Sequence, residues 1–440
     1  MTNGGRVIRG AVLTYRADPA TAGPSEAVDF HARGAVAVDG DGRIAFCGDA
    51  AALPEQWRQL PHDDYGDALV LPGFVDAHIH FPQYRMLAAP GRDLLDWLDR
   101  FTWPEELRYG DPDHAATAAG MFLERLVQHG TTAALVFSSV HPQAAEALFT
   151  AAEARRMAIV TGKSMMDRNA PAGLRDDPEA GVADSETLAD RWHLRGRLQY
   201  AITVRFAITS SDRQLQLAGE LAAARPELLV QSHLGESRAE IARVRELFPD
   251  ALDYTDVYDR AGLLGPRTLL AHGVHLGERE CQRLHETGAT VVHCPTANTF
   301  LGSGIFDRSL VSRPERPVGI AVGSDVGAGT GYSMLHTLSG AYQAALLRGV
   351  HLGAHDLFHS ATRGNAKLLG LEEEIGSLEP GRWADIVALD PAATPVMRDR
   401  HALSGNLEDT LYALALLGDD RAVRAVFVAG RLAWDRDRGV

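Results

Sequence analysis

The sequence predicts an α/β chain: a (β/α)8 barrel of TIM type with a small β-sandwich domain formed from both termini. Three observations carry this. Eight short apolar runs recur along the middle of the 440 residues, helix-like stretches separate them, and β-rich segments with turn signals flank them on both sides. Strands alternating with helices build a parallel sheet covered by helices, and eight such units close into a barrel. An open doubly wound sheet is the alternative arrangement of the same units.

Residues 6–68 read as short strands joined by turns. Gly34–Asp39 (GAVAVD), the turn Gly40-Asp41-Gly42 and Arg43–Cys47 (RIAFC) form a hairpin pattern. Ala384–Leu389 (ADIVAL) and Ala422–Val428 (AVRAVFV), the latter followed by Ala429-Gly430-Arg431, have the same texture. The expected division is 1–70 plus 376–440 for the small β-domain and 71–375 for the barrel. The eight barrel runs have their cores at Leu71–Val75, Thr132–Phe137, Ala158–Thr161, Gln199–Val204, Leu228–Gln231, Thr268–Ala271, Thr290–Val292 and Val318–Val322. Spacers such as HAATAAGMFLERLVQHG and RQLQLAGELAAARPE carry helical periodicity.

Composition narrows the function classes. The formal charge is −15, and an acidic surface repels polyphosphate, which argues against nucleic acid and anionic membranes as partners. The opening MTNGGRVIRG has no apolar signal core and no apolar run reaches spanning length, so a soluble, cytoplasmic protein is expected. Cys47, Cys281 and Cys294 are far apart and form no CxxC pair. That excludes a disulfide framework, a thiolate zinc site, and the zinc deaminase architecture marked by H-x-E and P-C-x-x-C. Cys294, between His293 and Pro295, reads as a buried structural thiol.

The chemistry is concentrated where strands end. Pro72–His80 reads PGFVDAHIH, and alternation along a strand puts His78 and His80 on one face, a ready clamp for a divalent metal. A lone HxH is a weak signal. However, His233 ends the fifth run, His272 the sixth and Asp325 the eighth, all at the mouth where barrel active sites lie. One satisfied histidine per strand explains each alone, whereas five such residues on four strand ends read together as a site. Histidine and carboxylate ligands without cysteine fit Zn²⁺ first and Fe²⁺ second. Asp76 shares the face of the pair and is either an orienting partner of a histidine or a capping carboxylate. Glu236, three residues past His233, can return toward the metal's water as a proton shuttle, and taken alone reads as a surface glutamate. His275, His351, His355 and His359 read as helix or surface residues.

At these residues the chain resembles the amidohydrolase superfamily and, within it, the guanine deaminase family. The wider likeness rests on PGFVDAHIH, the later single histidines, the strand-end aspartate and the flanking β-domain. The narrower one rests on His80–Gln83 (HFPQ), Asp93–Glu106 (DLLDWLDRFTWPEE), Gly162–Asn169 (GKSMMDRN), the VRF of YAITVRFAITSS, His293–Gly304 (HCPTANTFLGSG), Gly323–Gly329 (GSDVGAG), YTDVYD at 254–259 and SMLHT at 333–337. The resemblance implies one Zn²⁺ per subunit held by His78, His80, His233 and Asp325, with His272 polarising the attacking water and Glu236 shuttling protons. It implies Gln83, Arg205 and Phe206 against a purine, hydrolysis of guanine to xanthine and ammonia, and a homodimer. Val204 and Ile208 stand where prolines are usual around the Arg-Phe pair, and HLGES replaces the more usual HLSEN. Both departures bear on pocket shape. Phe206 is expected as an aromatic wall for the base, whereas Trp97 and Trp103 read as core.

Two other readings compete. A mononuclear amidohydrolase with a different pocket would act on 8-oxoguanine, another aminopurine, cytosine or a triazine. A bridging carboxylated lysine, as in dinuclear members, has no candidate at the fourth strand, and Lys163 at the third is the only lysine near a strand mouth. A metal-free relative would be a binding or assembly protein, and such proteins lack the ligand histidines present here.

Overall fold

In the computed structural model, which describes residues 4–439, both predicted units are present. The small β-domain is a seven-stranded sheet drawn from both termini. Its spatial order is Arg431–Asp435, Val423–Val428, Ile386–Leu389, His62–Pro72, Arg6–Tyr15, Val28–Val38 and Ile44–Asp49. The expected hairpin joins the last two, with Val36 opposite Cys47. Its turn is closed by Asp39, whose Oδ1 accepts the backbone N–H of Asp41, Gly42 and Arg43 at 3.0, 2.9 and 2.8 Å.

Alternation explains how this sheet docks. Val70, Ile386, Ala388 and Phe427 face the domain's own core. Their neighbours Leu69, Leu71, Val387, Leu389 and Val426 face the opposite way and join the barrel core. Period-2 placement with both faces buried gives the unbroken apolar runs seen in the sequence. The junction also holds a buried ion pair, Arg197 with Asp385. Between Leu389 and Val423 the chain leaves the sheet for two helices, Pro395–His401 and Leu407–Leu417. The second packs on the barrel helices Met334–Leu347 and Ala354–His359.

The barrel strands are Phe74–His80, Thr131–Phe137, Ala158–Gly162, Gln199–Val204, Leu229–Leu234, Thr268–His272, Thr290–His293 and Gly319–Val322, paired in parallel in that order. One expectation needs correcting. The run Leu71–Val75 is not a single strand: Gly73 divides it, Leu71 pairs with Val387 in the terminal sheet, and the barrel strand begins at Phe74. A side chain at 73 would collide with Thr132, its Cβ falling 2.3 Å from Oγ1, so glycine allows the chain to cross from one sheet to the other there.

First and eighth strands meet at a seam closed partly by side chains. Asp325 N–H donates to the His78 carbonyl and His80 N–H to the Val326 carbonyl, both at 2.8 Å. Lower down, the Asn365 amide donates to the carbonyls of Val75 and Val322 at 2.7 Å each and accepts from Val322 N–H at 3.0 Å. No helix among the described residues is long and apolar enough to cross a membrane.

Candidate metal centre and purine pocket

The strand-end residues converge at the C-terminal mouth. His80 Nε2 lies 3.2 Å from the Nε2 atoms of both His78 and His233, and Asp325 Oδ1 lies 3.3 Å from those of His78 and His80. All four side chains are buried. His233 Nδ1 sits 2.6 Å from the Arg205 carbonyl, which can only accept, so the ring proton is on Nδ1 and Nε2 presents a bare lone pair. Three imidazole Nε2 atoms and a carboxylate oxygen converging this closely form a donor set that a cation would satisfy. The spacing suits one: tetrahedral bonds of about 2.0–2.1 Å have edges of roughly 3.3–3.4 Å. Burial holds all three imidazoles well below the usual histidine range, so they stay neutral and available as ligands.

His272 stands beside this cage. Its Nδ1 bonds Asn298 Oδ1 at 2.9 Å, and its Nε2 lies 3.4 Å from Glu236 Oε2 and 3.9 Å from Asp325 Oδ2. His272 and Asp325 both have left-handed backbones, φ 75° and 54°, which is costly for residues with a Cβ and characteristic of constrained functional positions. Burial, then the nearby Asp325 charge, pushes the Glu236 carboxyl up to about 8, although a 3.2 Å bond from Ser303 Oγ opposes this. Burial likewise raises Asp325 to about 6. At neutral pH a protonated carboxyl at Glu236 thus stands near a carboxylate at Asp325.

Asp76 is not a partner of an imidazole. Its Oδ1 accepts the backbone N–H of His78 at 3.2 Å and of Ser324 at 3.0 Å, and its Oδ2 accepts the Ser324 hydroxyl. It therefore ties first to eighth strand directly beneath the cage. Cys294 lies close to His78, His272 and Asp325, but its thiol is directed at the Val292 carbonyl, 3.5 Å away, and burial keeps it protonated. Lys163 bonds Asp176 at 2.5 Å, and His275, His351, His355 and His359 are not part of the cage.

A narrow pocket opens onto these groups. Phe206, Leu94, Trp97 and Leu98 form its apolar walls, and Gln83 and Arg205 its polar end. Trp97 corrects the expectation of a purely core residue: it is buried, yet it lines the pocket, and its indole N–H has no protein partner. Trp103 stays in the core, its ring 5.3 Å from the Arg205 guanidinium carbon. The sequence reading missed Glu106, which is fully buried. Its two oxygens accept from Arg205 Nη1 at 2.6 and 2.8 Å, and Oε1 also accepts from Gln83 Nε2 at 3.1 Å. It also missed Asn298 and Ser303, although all three lie inside quoted motifs. A larger groove of about 620 Å³, lined by Leu215, Phe248 and Arg260 among others, lies away from every group described above.

Comparison with known proteins agrees with this geometry. The pattern of the amidohydrolase family matches residues 69–433. Guanine deaminase of Escherichia coli (strain K12) is 46% identical over 374 residues, 85% of this chain and 85% of that protein. The solved structure of the E. coli guanine deaminase covers 98% of this chain and 100% of its own at a TM-score of 0.92 and 41% identity. Guanine deaminase from C. acetobutylicum, solved with guanine bound in its active site, covers 98% and 100% at a TM-score of 0.87 and 27% identity. With the barrel, the converging strand-end ligands and these likenesses in agreement, the chain belongs to the amidohydrolase family.

Proposed function

We propose that this chain is a guanine deaminase, hydrolysing guanine to xanthine and ammonia with one Zn²⁺, or failing that Fe²⁺, held by His78, His80, His233 and Asp325. The observation that carries the reading is the juxtaposition of three elements in one pocket: a neutral three-histidine, one-carboxylate cage, a protonated carboxyl at Glu236, and a lining of apolar side chains with the donors Gln83 and Arg205. A cation held there by these residues would lower the pKa of water from 15.7 toward about 7 and so would supply hydroxide at neutral pH.

The chain's own residues do the rest. Phe206 and Trp97 flank a planar base, while Arg205 and Gln83 donate to acceptors such as O6 and N7. His272 Nε2 and Asp325 hold the attacking water, and Asp325 takes its proton. Attack at C2 breaks ring conjugation and places electron density on the adjacent ring nitrogen. Glu236 protonates that nitrogen, then takes the proton of the new C2 hydroxyl and delivers it to the 2-amino group, which leaves as ammonia as the C2 carbonyl forms, and the proton held by Asp325 restores Glu236. The seclusion of all these groups from bulk water strengthens each interaction.

The test is an ultraviolet assay of metal-replete protein against guanine, 8-oxoguanine, adenine and cytosine, with ammonia quantified and metal content measured in parallel. Xanthine from guanine, well above the other bases and lost on metal removal, is the expected result. Metal-loaded protein that leaves guanine untouched would refute the substrate assignment.

A further inference from the structure

We propose that Glu106 and the Gly327 backbone amide fix the orientation of the Gln83 amide, its remaining N–H toward the base, and so set this pocket for purines with oxygen rather than an amino group at C6. This rests on the guanine reading above and adds what decides the choice of base. A glutamine amide is ambivalent: rotated by half a turn, it exchanges an acceptor for a donor. Gln83 has no such freedom. Its Oε1 accepts Gly327 N–H at 3.1 Å, and its Nε2 donates to Glu106 Oε1 at 3.1 Å. A backbone N–H cannot accept and a carboxylate cannot donate, so the flipped amide would be wrong at both contacts. Gln83 is 1% exposed and Glu106 0%, which leaves no solvent to compensate.

One Nε2 proton therefore remains for a ligand. Beside it, Arg205 has only donors to offer, its Nη1 already held by the same carboxylate. Between them the two side chains offer the base chiefly N–H donors, since Gln83 Oε1 is already engaged by Gly327. O6 and N7 of a 6-oxopurine match it, whereas a 6-amino group brings protons against protons in a dry site. Glycine at 327 is part of the arrangement: a Cβ there would fall 2.8 Å from the Gln83 carbonyl oxygen and 3.4 Å from its Cβ. Glu106 and Gly327 are positioning residues, since they act through Gln83 and Arg205.

Guanine, 2-aminopurine and 2,6-diaminopurine share the 2-amino leaving group and differ only at C6 and in the protonation of N1, so their kcat/KM values isolate this reading. In the unaltered chain the expected order is guanine, then 2-aminopurine, then 2,6-diaminopurine, the first exceeding the last by about 100-fold or more. Efficient turnover of 2,6-diaminopurine, equal to that of 2-aminopurine, overturns the proposal without any variant. The isosteric swap Q83E/E106Q keeps the net charge, the Gly327 bond and the bond between 83 and 106, gives up one of the two contacts to Arg205 Nη1, and presents an acceptor where the Gln83 N–H stood. The guanine to 2,6-diaminopurine ratio should then fall by roughly 10-fold or more, a change that general loosening would not produce. A folded swap variant with an unchanged ratio also overturns it. Calorimetric binding of hypoxanthine and adenine provides a second readout independent of turnover, with hypoxanthine expected to bind more tightly. Failure of the metal-replete chain to turn over any 2-aminopurine would refute the guanine reading, whereas adenine binding as tightly as hypoxanthine would refute only the polarity lock.

Discussion

Two buried arginine–carboxylate pairs show how the same chemistry serves architecture at one place and recognition at another. Arg197 and Asp385, at the junction of barrel and terminal sheet, are 7% and 2% exposed; Arg205 and Glu106, at the barrel mouth, are 3% and 0% exposed. Each guanidinium carbon lies 5.3 Å from a tryptophan ring, Trp383 and Trp103 respectively. The difference lies in what remains unbonded. Arg197 also donates to the Arg156 carbonyl at 2.6 Å, and Asp385 also accepts from Ala429 N–H at 2.8 Å, so that pair ties barrel to terminal sheet through both guanidinium Nη atoms. Arg205 is held through Nη1 alone and borders a pocket. Arg205, with Nη2 unengaged by the described residues beside the cage, is placed for recognition, whereas Arg197, with Nη1 and Nη2 both bonded to protein acceptors, is placed as a joint.

The largest test of this contrast removes the chemistry and leaves the pocket intact. Glu236→Gln should lower kcat by about 10²- to 10⁴-fold while the KM for guanine changes little. Retention of kcat within about threefold would remove Glu236 as shuttle. Next, Arg205→Ala and Arg197→Ala separate the two pairs. Both leave a buried carboxylate unpaired and should destabilise the fold by about 3–5 kcal/mol, read from denaturant unfolding. Only Arg205→Ala should also reduce kcat/KM, by roughly 10- to 200-fold for about 1.5–3 kcal/mol of lost charge-assisted bonding. An equal loss of kcat/KM in Arg197→Ala would erase the distinction.

Smaller effects follow from proton affinity. Burial raises the Glu236 carboxyl to about 8, so its donating form is present at pH 7 and is lost as pH rises through that value. The kcat profile should therefore fall on the alkaline side, with the bound cation moving that limb to lower pH and Glu236→Gln abolishing it. Ser303→Ala is the mildest change. Loss of its bond to the carboxylate should cost about 1 kcal/mol, roughly fivefold in kcat, and shift the alkaline limb upward, because that bond favours the ionised form.

Much of this was legible beforehand because barrel strands are buried on both faces. His233, His272 and Asp325 each terminate an apolar run, and a polar residue there has few structural reasons to exist. The missing parts act over long range. Glu106 lies in a one-turn helix in which it resembles a surface residue; its meaning comes from Arg205, 99 positions away. Asn298 lies in the short helix Pro295–Phe300 and Ser303 in the irregular segment after it; their contacts with His272 and Glu236, 26 and 67 positions away, leave no periodic trace. The strand division at Gly73 was hidden because the residues on either side are equally apolar and belong to two different sheets.

The seam between first and eighth strands carries one more consequence. His78 and His80 stand on one side of it, Asp325 on the other, and Asp76 laces the two beneath. A cation in the cage is therefore a cross-link between the two ends of the barrel's strand sequence, at the place where its backbone ladder is thinnest. Whatever binds the folded chain and not the unfolded one adds to its stability by mass action, about 4.1 kcal/mol at a thousand times its Kd. The melting temperature should thus rise with free metal concentration, and chelation should loosen hydrogen-exchange protection first at Val322–Val326 and Phe74–His80. The ion that equips the enzyme for hydrolysis would also be the fastener that keeps the cylinder shut.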